Sequence, residues 1–255
     1  MSSPIPEPAC YGAVRLATHL GYLWLPADDE VMRPYIENSG AWEPSEERLL
    51  VSLMKPDTRF LDVGANVGYF SALAAHCCPR GSLDAVEPDP RNLALLRMNL
   101  WEHAPHAKIW PVALGDAHTT VGLAVHEANF GDTRLAQGKA AATYVAALVR
   151  AEEIFPDRKF DLVKIDVQGF EAEVLLGMRG SLKRWSPVAF AVEFYPRAVR
   201  DRGMEPLDVL KIYRDLGLDQ VANVEDKLLR LDDQELLGIC ESGGPEGYLN
   251  LVLTI

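Results

Sequence analysis

The chain has 255 residues, with 25 Lys and Arg against 37 Asp and Glu, a formal net charge of −12. That length suits one α/β domain with a sizeable core, and so acidic a surface repels phosphate backbones, so no nucleic-acid partner is expected. No apolar run reaches the length of a membrane span and the N-terminus lacks a basic-then-apolar leader, so no membrane partner is expected and the location is read as cytoplasmic. The four cysteines, Cys10, Cys77, Cys78 and Cys240, contain no Cys-x-x-Cys pair and imply neither a zinc site nor a disulfide framework.

In chain order, Pro4, Pro6 and Pro8 predict an extended terminus. Residues 19–26 read as a strand or hairpin arm and residues 28–35 as a short helix. Ser45-Glu46-Glu47 opens a helix through Leu49, Leu50 and Leu53, with acids in the first turn where the dipole favours them. Trp42-Glu43, just before that helix, is either a packing corner or a contact to the cationic end of a ligand.

Residues 59–71, Arg-Phe-Leu-Asp-Val-Gly-Ala-Asn-Val-Gly-Tyr-Phe-Ser, are the stretch around which the rest is organised. Phe60, Leu61 and Val63 give the apolar run of a strand covered on both faces. Gly64 permits backbone torsions closed to other residues, and Gly68 lets a new helix lie close to whatever sits on the turn. Such a helix start attracts anionic or polar ligand groups. A dinucleotide site needs Gly-x-Gly-x-x-Gly, but Asn66 stands where the pyrophosphate would approach, and Asp62 precedes the turn. A carboxylate there favours an ammonium over a phosphate. The expected ligand therefore carries a cation and no phosphate, which fits S-adenosylmethionine.

Further on, residues 83–87 form a strand ending in Glu87, from which a carboxylate can accept two hydrogen bonds from ribose hydroxyls; an NAD enzyme uses an acid in the same place. Asp89-Pro90 caps a helix striped by Leu93, Leu96 and Leu100. Residues 108–114 are the third strand. Residues 119–126 and 143–149 read as strands around a polar loop near Asn129 and Arg134. Residues 160–167 are the clearest later strand, ending in Asp166. Residues 187–194 form another, with Glu193 near its tip. A helix over 207–216 and strands over 220–224 and 248–255 follow. Strands alternating with helices imply a doubly wound, mostly parallel sheet with ligands beyond the strand ends. Asp62, Glu87, Asp166 and Glu193 should then surround one crevice, suited to a cationic cofactor and able in charge to hold a hard divalent ion, although no compact ligand motif assigns a metal.

Residues 60–71, Val86-Glu87-Pro88-Asp89-Pro90 with Asn92, Lys164-Ile165-Asp166-Val167-Gln168-Gly169-Phe170-Glu171 and Val192-Glu193-Phe194 resemble, in order, the signatures of the FkbM family of S-adenosylmethionine-dependent methyltransferases. The resemblance covers roughly residues 40–195. It implies a class I methyltransferase fold, Rossmann-like, with a seven-stranded sheet whose terminal strand is antiparallel, and O-methylation of a hydroxyl. Glu43, Asp62, Gly64, Asn66, Gly68, Glu87, Asn92 and Leu114 would line the cofactor, with Pro88 and Asp166 beside them. Leu114 would act through its backbone, near the adenine. The chain departs from the family at Gln168, where members carry an acid, and at Phe194-Tyr195, near which members often carry a histidine.

The chemistry is then an in-line attack of a substrate oxygen on a sulfonium methyl, with a carboxylate or histidine to take the proton. Asp166 and Glu193 are the candidate catalytic groups, with His126 a weaker one. Arg134, Gln168 and Tyr195 are candidate acceptor contacts, and the arginines of residues 196–204 could meet an anionic group or be solvated. Residues 1–45 are read as an extension covering the active site and residues 46–255 as the cofactor-binding domain. The acceptor is expected to be a small-molecule hydroxyl on a natural product, polyketide or sugar, and a homodimer is allowed for. An NAD-dependent oxidoreductase and a non-catalytic cofactor-binding scaffold are the alternatives.

Overall fold

The computed structural model describes residues 12–126, 128–136, 142–244 and 247–255; the three N-terminal prolines and Cys10 lie outside them. The described chain opens with an antiparallel hairpin of β1 (Ala13–Thr18) and β2 (Gly21–Pro26), so the strand read at residues 19–26 is its second arm. Two helices follow, α1 (Met32–Ser39) and α2 (Pro44–Leu53).

The alternation begins with β3 (Arg59–Val63), α3 (Tyr69–Cys77), β4 (Ser82–Val86), α4 (Pro90–His103) and β5 (Lys108–Trp110). Asp89 caps α4 by accepting the Arg91 N–H at 2.9 Å, and Pro90 occupies the first helical position, as the sequence suggests. The single strand expected over 108–114 divides at Pro111, which has no N–H for a ladder. Its second half, β6 (Ala113–Leu114), turns away into a separate small sheet with β7 (Thr119–Ala124), β8 (Arg134–Leu135) and β9 (Tyr144–Val149), in the order β6-β9-β7-β8.

The chain then returns through α5 (Ala151–Ile154), β10 (Leu162–Ile165), α6 (Glu171–Gly177), α7 (Arg179–Trp185), β11 (Ala189–Phe194), α8 (Pro196–Asp201), α9 (Pro206–Asp215), β12 (Asp219–Val224), β13 (Lys227–Leu229), α10 (Asp233–Ser242) and β14 (Leu249–Thr254). The main sheet runs β13-β12-β14-β11-β10-β3-β4-β5. Strands β3, β4, β5, β10 and β11 are parallel, and β14 lies antiparallel between β11 and β12. This is the expected seven-stranded arrangement with one strand added: β13 extends the edge through a two-residue turn, with both Glu225 and Asp226 at positive φ.

Both faces are covered, which is why the central strands read as continuous apolar runs. Leu61, Val63, Val163, Ile165, Phe190 and Val192 pack toward α6 and α9. Phe60, Leu162 and Ala191 share the opposite core with Leu50, Leu73, Leu96 and the hairpin residues Leu23 and Leu25. Among the described residues no helix is long and apolar enough to cross a membrane.

Candidate active site

Beyond the carboxyl ends of β3, β4, β10 and β11 lies a cavity of about 300 Å³, in the crevice where open parallel sheets bind ligands. Its floor is the turn after β3. The N–H groups of Gly64 and Ala65 both donate to the Val86 carbonyl at 3.0 Å, fastening the turn to the end of β4. Gly64 has φ +81°, and a Cβ there would stand 1.9 Å from the Asp166 carbonyl oxygen, so the turn can lie against β10 only as glycine.

Glu87 ends β4 and is 4% exposed. Its Oε2 accepts the Asn66 N–H at 2.8 Å and its Oε1 accepts the Asp89 N–H at 2.7 Å. Those bonds fix the carboxyl group and leave each oxygen one further lone pair, the geometry for receiving two adjacent hydroxyls. Burial outweighs the two N–H donors and pushes this carboxyl up to about 8.

The roof is the segment carrying Asn129, Phe130 and Arg134. Asn92 Nδ2 donates to the Phe130 carbonyl at 3.0 Å, and Thr133 Oγ1 donates to Asp89 at 2.8 Å. Asp29, from the N-terminal segment, accepts the Phe130 N–H at 3.0 Å, and the Glu30 N–H donates to the Ala128 carbonyl at 2.8 Å. Arg91 lies 4.3 Å from the centre of the Phe130 ring. Arg134 pairs with Asp132 and, at 3.2 Å, with Asp201.

The far wall is acidic. Asp166 Oδ2 lies 3.0 Å from Lys164 Nζ, and its Oδ1 accepts from Gln168 Nε2 at 3.2 Å. Lys164 is 1% exposed, 3.8 Å from Glu46 and 4.8 Å from the centre of the Phe70 ring. Burial alone would lower its ammonium, but the fields of Asp166, Glu46, Asp62 and Glu43 together hold it well above its ordinary value. Glu193 is driven well above the usual carboxylate range by burial and by Asp166, Glu43 and Glu171, and its Oε2 has no hydrogen-bond partner. Glu43 is likewise raised by burial, although a hydrogen bond with Glu46 and the Lys164 charge act the other way. Among the described residues no three His, Cys, Asp or Glu side chains converge at metal-ligand spacing.

Three residues lining the cavity, Glu43, Asn66 and Gln168, are non-glycines at positive φ, 42°, 52° and 55°. Such conformations cost about 1–3 kcal/mol each and gather at functional sites.

Residues 62–219 match the Methyltransferase FkbM domain. The chain belongs to the FkbM methyltransferase family. Hexuronic acid methyltransferase AglP of Haloferax volcanii is 24% identical over 194 residues, covering 75% of this chain and 74% of that protein. AMB antimetabolite synthetase AmbE of Pseudomonas aeruginosa is 29% identical over 167 residues, 49% of this chain but 8% of the synthetase. Among solved structures, an FkbM methyltransferase from Methylobacillus flagellatus superposes with a TM-score of 0.50 at 16% identity, covering 79% of this chain and 44% of that one. The O-methyltransferase TomG of Streptomyces achromogenes, solved in complex with S-adenosylmethionine, also gives 0.50 at 17% identity, covering 89% and 86%. The chain thus spans less than half of the FkbM structure and a small part of the synthetase.

S-adenosylmethionine is the cofactor of this FkbM domain, and the cavity residues fit it. Glu87 offers a rigid pair of acceptors for the ribose, Leu114, Leu123, Phe130 and Leu135 give an apolar wall for a base, and the orphaned oxygens Asn66 Oδ1 and Glu193 Oε2 await donors.

Of the residues expected at the site, Glu43, Gly64, Asn66, Glu87, Pro88, Asn92, Leu114, Arg134, Asp166, Gln168, Glu193 and Tyr195 line the cavity. Asp62 and Gly68 do not. Asp62 is buried behind the wall, where Oδ2 accepts from Ser71 at 2.6 Å and Oδ1 has no partner. The acids that line that end of the cavity are Glu43, Asp166 and Glu193. Gly68 serves packing: a Cβ there would stand 2.7 Å from Leu96 Cδ1, so it brings α3 against α4. His126 holds the Ala128 N–H at 3.2 Å and is no part of the lining. Arg200 and Arg202 pair with Glu241 and Glu173, and their segment begins with α8. The sequence reading missed Lys164 and Glu171. Glu171 Oε1 accepts the Val167 and Gly169 N–H groups at 3.0 and 3.1 Å, holding the Gln168 bend, and burial pushes its carboxyl up to about 7.

Proposed function

We propose that the chain transfers a methyl group from S-adenosylmethionine to a hydroxyl of a small-molecule acceptor. The observation that carries this reading is the division of the cavity, with the paired acceptors of Glu87 at one end and the acids Asp166 and Glu193 at the other. The cofactor supplies an electrophilic methyl on a sulfonium, open to in-line attack. Asp166 takes the acceptor's proton as the new C–O bond forms, and Gln168 and Lys164 hold its two oxygens in place. The family's usual acid at position 168 could donate to Asp166 only when protonated; the Gln168 amide donates at any pH. Glu193, raised by burial and by the neighbouring acids, is a weaker candidate for the base than Asp166.

In the same reading, the segment up to residue 45 is the cover of the site, supported by Val31, Trp42 and Glu43 in the lining. The protein works in the cytoplasm, as a monomer or homodimer, without nucleic acid. The test is incubation with donor carrying a radiolabelled methyl and a panel of hydroxylated compounds, with products checked by mass. A gain of one methylene on an oxygen supports transfer. Donor binding without transfer to any acceptor supports the scaffold instead, and transfer to nitrogen or carboxylate refutes the hydroxyl.

A further inference from the structure

A second cavity, of about 450 Å³, adjoins the first, and Trp42 and Glu43 line both. Sheet register connects the two. Glu193 on β11 stands opposite Asn250 on β14, and Asn250 stands opposite Asn223 on β12. Directly paired residues project to the same face, so these three side chains form a polar row leading from the methyl-transfer end of the first cavity into the second. Asn223 and Asn250 are both buried. The Asn223 amide donates to Ser45 Oγ at 3.4 Å.

Opposite that row stand aromatic side chains. The Tyr35 and Trp42 rings meet edge to face at 5.4 Å, and Tyr248, 40% exposed, completes the mouth. Tyr248 lines only the second of the two cavities, and burial with the nearby Glu43, Glu193 and Glu46 holds its hydroxyl above its ordinary value. Glu43 and Glu46 are part of the lining, and no lysine or arginine is.

Each feature limits the occupant. Aromatic rings at a cavity mouth accept a group with C–H faces. Buried amides, each both donor and acceptor, need partners that are both as well, which hydroxyl groups are. A flat hydrocarbon or phenol ring would bury the amides unpaired, at about 1–3 kcal/mol for each group left unsatisfied. With no lysine or arginine in the lining, a carboxylate or phosphate finds no cationic partner there, whereas the carboxyl groups accept from hydroxyl or ammonium.

We propose that this second cavity is the acceptor subsite, and that its occupant is a polyhydroxylated, carbohydrate-like group that is neutral or cationic and not anionic. The proposal rests on the first cavity holding the methyl donor, which puts the acceptor's hydroxyl at the Glu193 end of the polar row.

The test uses the full chain, with and without S-adenosylhomocysteine, and four probes: methyl glucopyranoside, methyl glucosaminide, methyl glucopyranosiduronate and catechol. Saturation-transfer NMR reads binding of each, and calorimetry reads S-adenosylhomocysteine separately. The neutral and amino glycosides are expected to bind, with the uronate at least about tenfold weaker. Asn223→Ala and Tyr248→Ala should each weaken the neutral glycoside by about fivefold or more while leaving S-adenosylhomocysteine affinity unchanged. Absence of glycoside binding, preference for the uronate or catechol, or indifference to both substitutions overturns the subsite. Failure of S-adenosylhomocysteine to bind would strike the donor reading instead, and the glycoside data on the free protein still decide the subsite.

Discussion

Glu87 offers the sharpest quantitative check, because its geometry and its acidity make opposite demands. Two ribose hydroxyls can both donate to it only as the carboxylate, yet burial holds its proton up to about 8. An acid raised in this way is neutral at lower pH, so donor binding must be accompanied by proton release, and affinity must rise with pH until Glu87 ionises by itself. With ionisation centred near pH 8, the competent fraction is about 3% at pH 6.5 and about 75% at pH 8.5, so the apparent Kd for S-adenosylhomocysteine should fall by about 25-fold across that range. Isothermal titration at several pH values reads the affinity, and repeating it in buffers of different ionisation enthalpy reads the proton. Glu87→Gln keeps the shape without the titration. Since the ligand's own ionisations are common to both proteins, the ratio of wild type to variant isolates Glu87. A ratio constant within about twofold would refute the assigned role.

Lys164→Met should lower stability by about 3 kcal/mol by leaving Asp166 and Glu46 without their buried partner; by thermal unfolding that is roughly 6–12 °C for a domain of this size. Gly64→Ala forces a Cβ to 1.9 Å from the Asp166 carbonyl; loss of soluble protein, or of donor binding by about 4 kcal/mol or more, is expected, and a normal titration would contradict the packing. Asp232→Ala removes a capping box with Glu235 and should cost about 1 kcal/mol, or roughly 2–4 °C, with donor affinity unchanged.

The central fold was legible because local chemistry and tertiary demand agree there. The run Phe60–Val63 is apolar because β3 is covered on both faces, and Gly64 is glycine because β10 touches it. Glu87, Asp166 and Glu193 could be placed by topology alone, each at the end of a parallel strand. Asp62 could not: strand position does not say which way a side chain turns, and this one turns to Ser71. Lys164 was hidden for the opposite reason. A lysine inside a buried strand looks like part of the strand until the carboxylates around it are seen. The turn before β13 carries Glu225-Asp226 in place of a glycine signal, so tertiary pairing alone reveals it. The capping box that starts α10 was readable from Asp232 and Glu235 and was passed over. The positive φ of Glu43 and Gln168 left no trace in residue type, whereas asparagine at 66 is a residue that favours that conformation.

The most direct measurement is a crystal structure of the chain soaked with S-adenosylhomocysteine. The ribose hydroxyls should lie within hydrogen-bond reach of both Glu87 oxygens, and the sulfur should face the end of the cavity held by Asp166 and Glu193. Ligand density elsewhere, or a ribose remote from Glu87 with the turn at residues 64–68 bare, would contradict the assignment of this cavity.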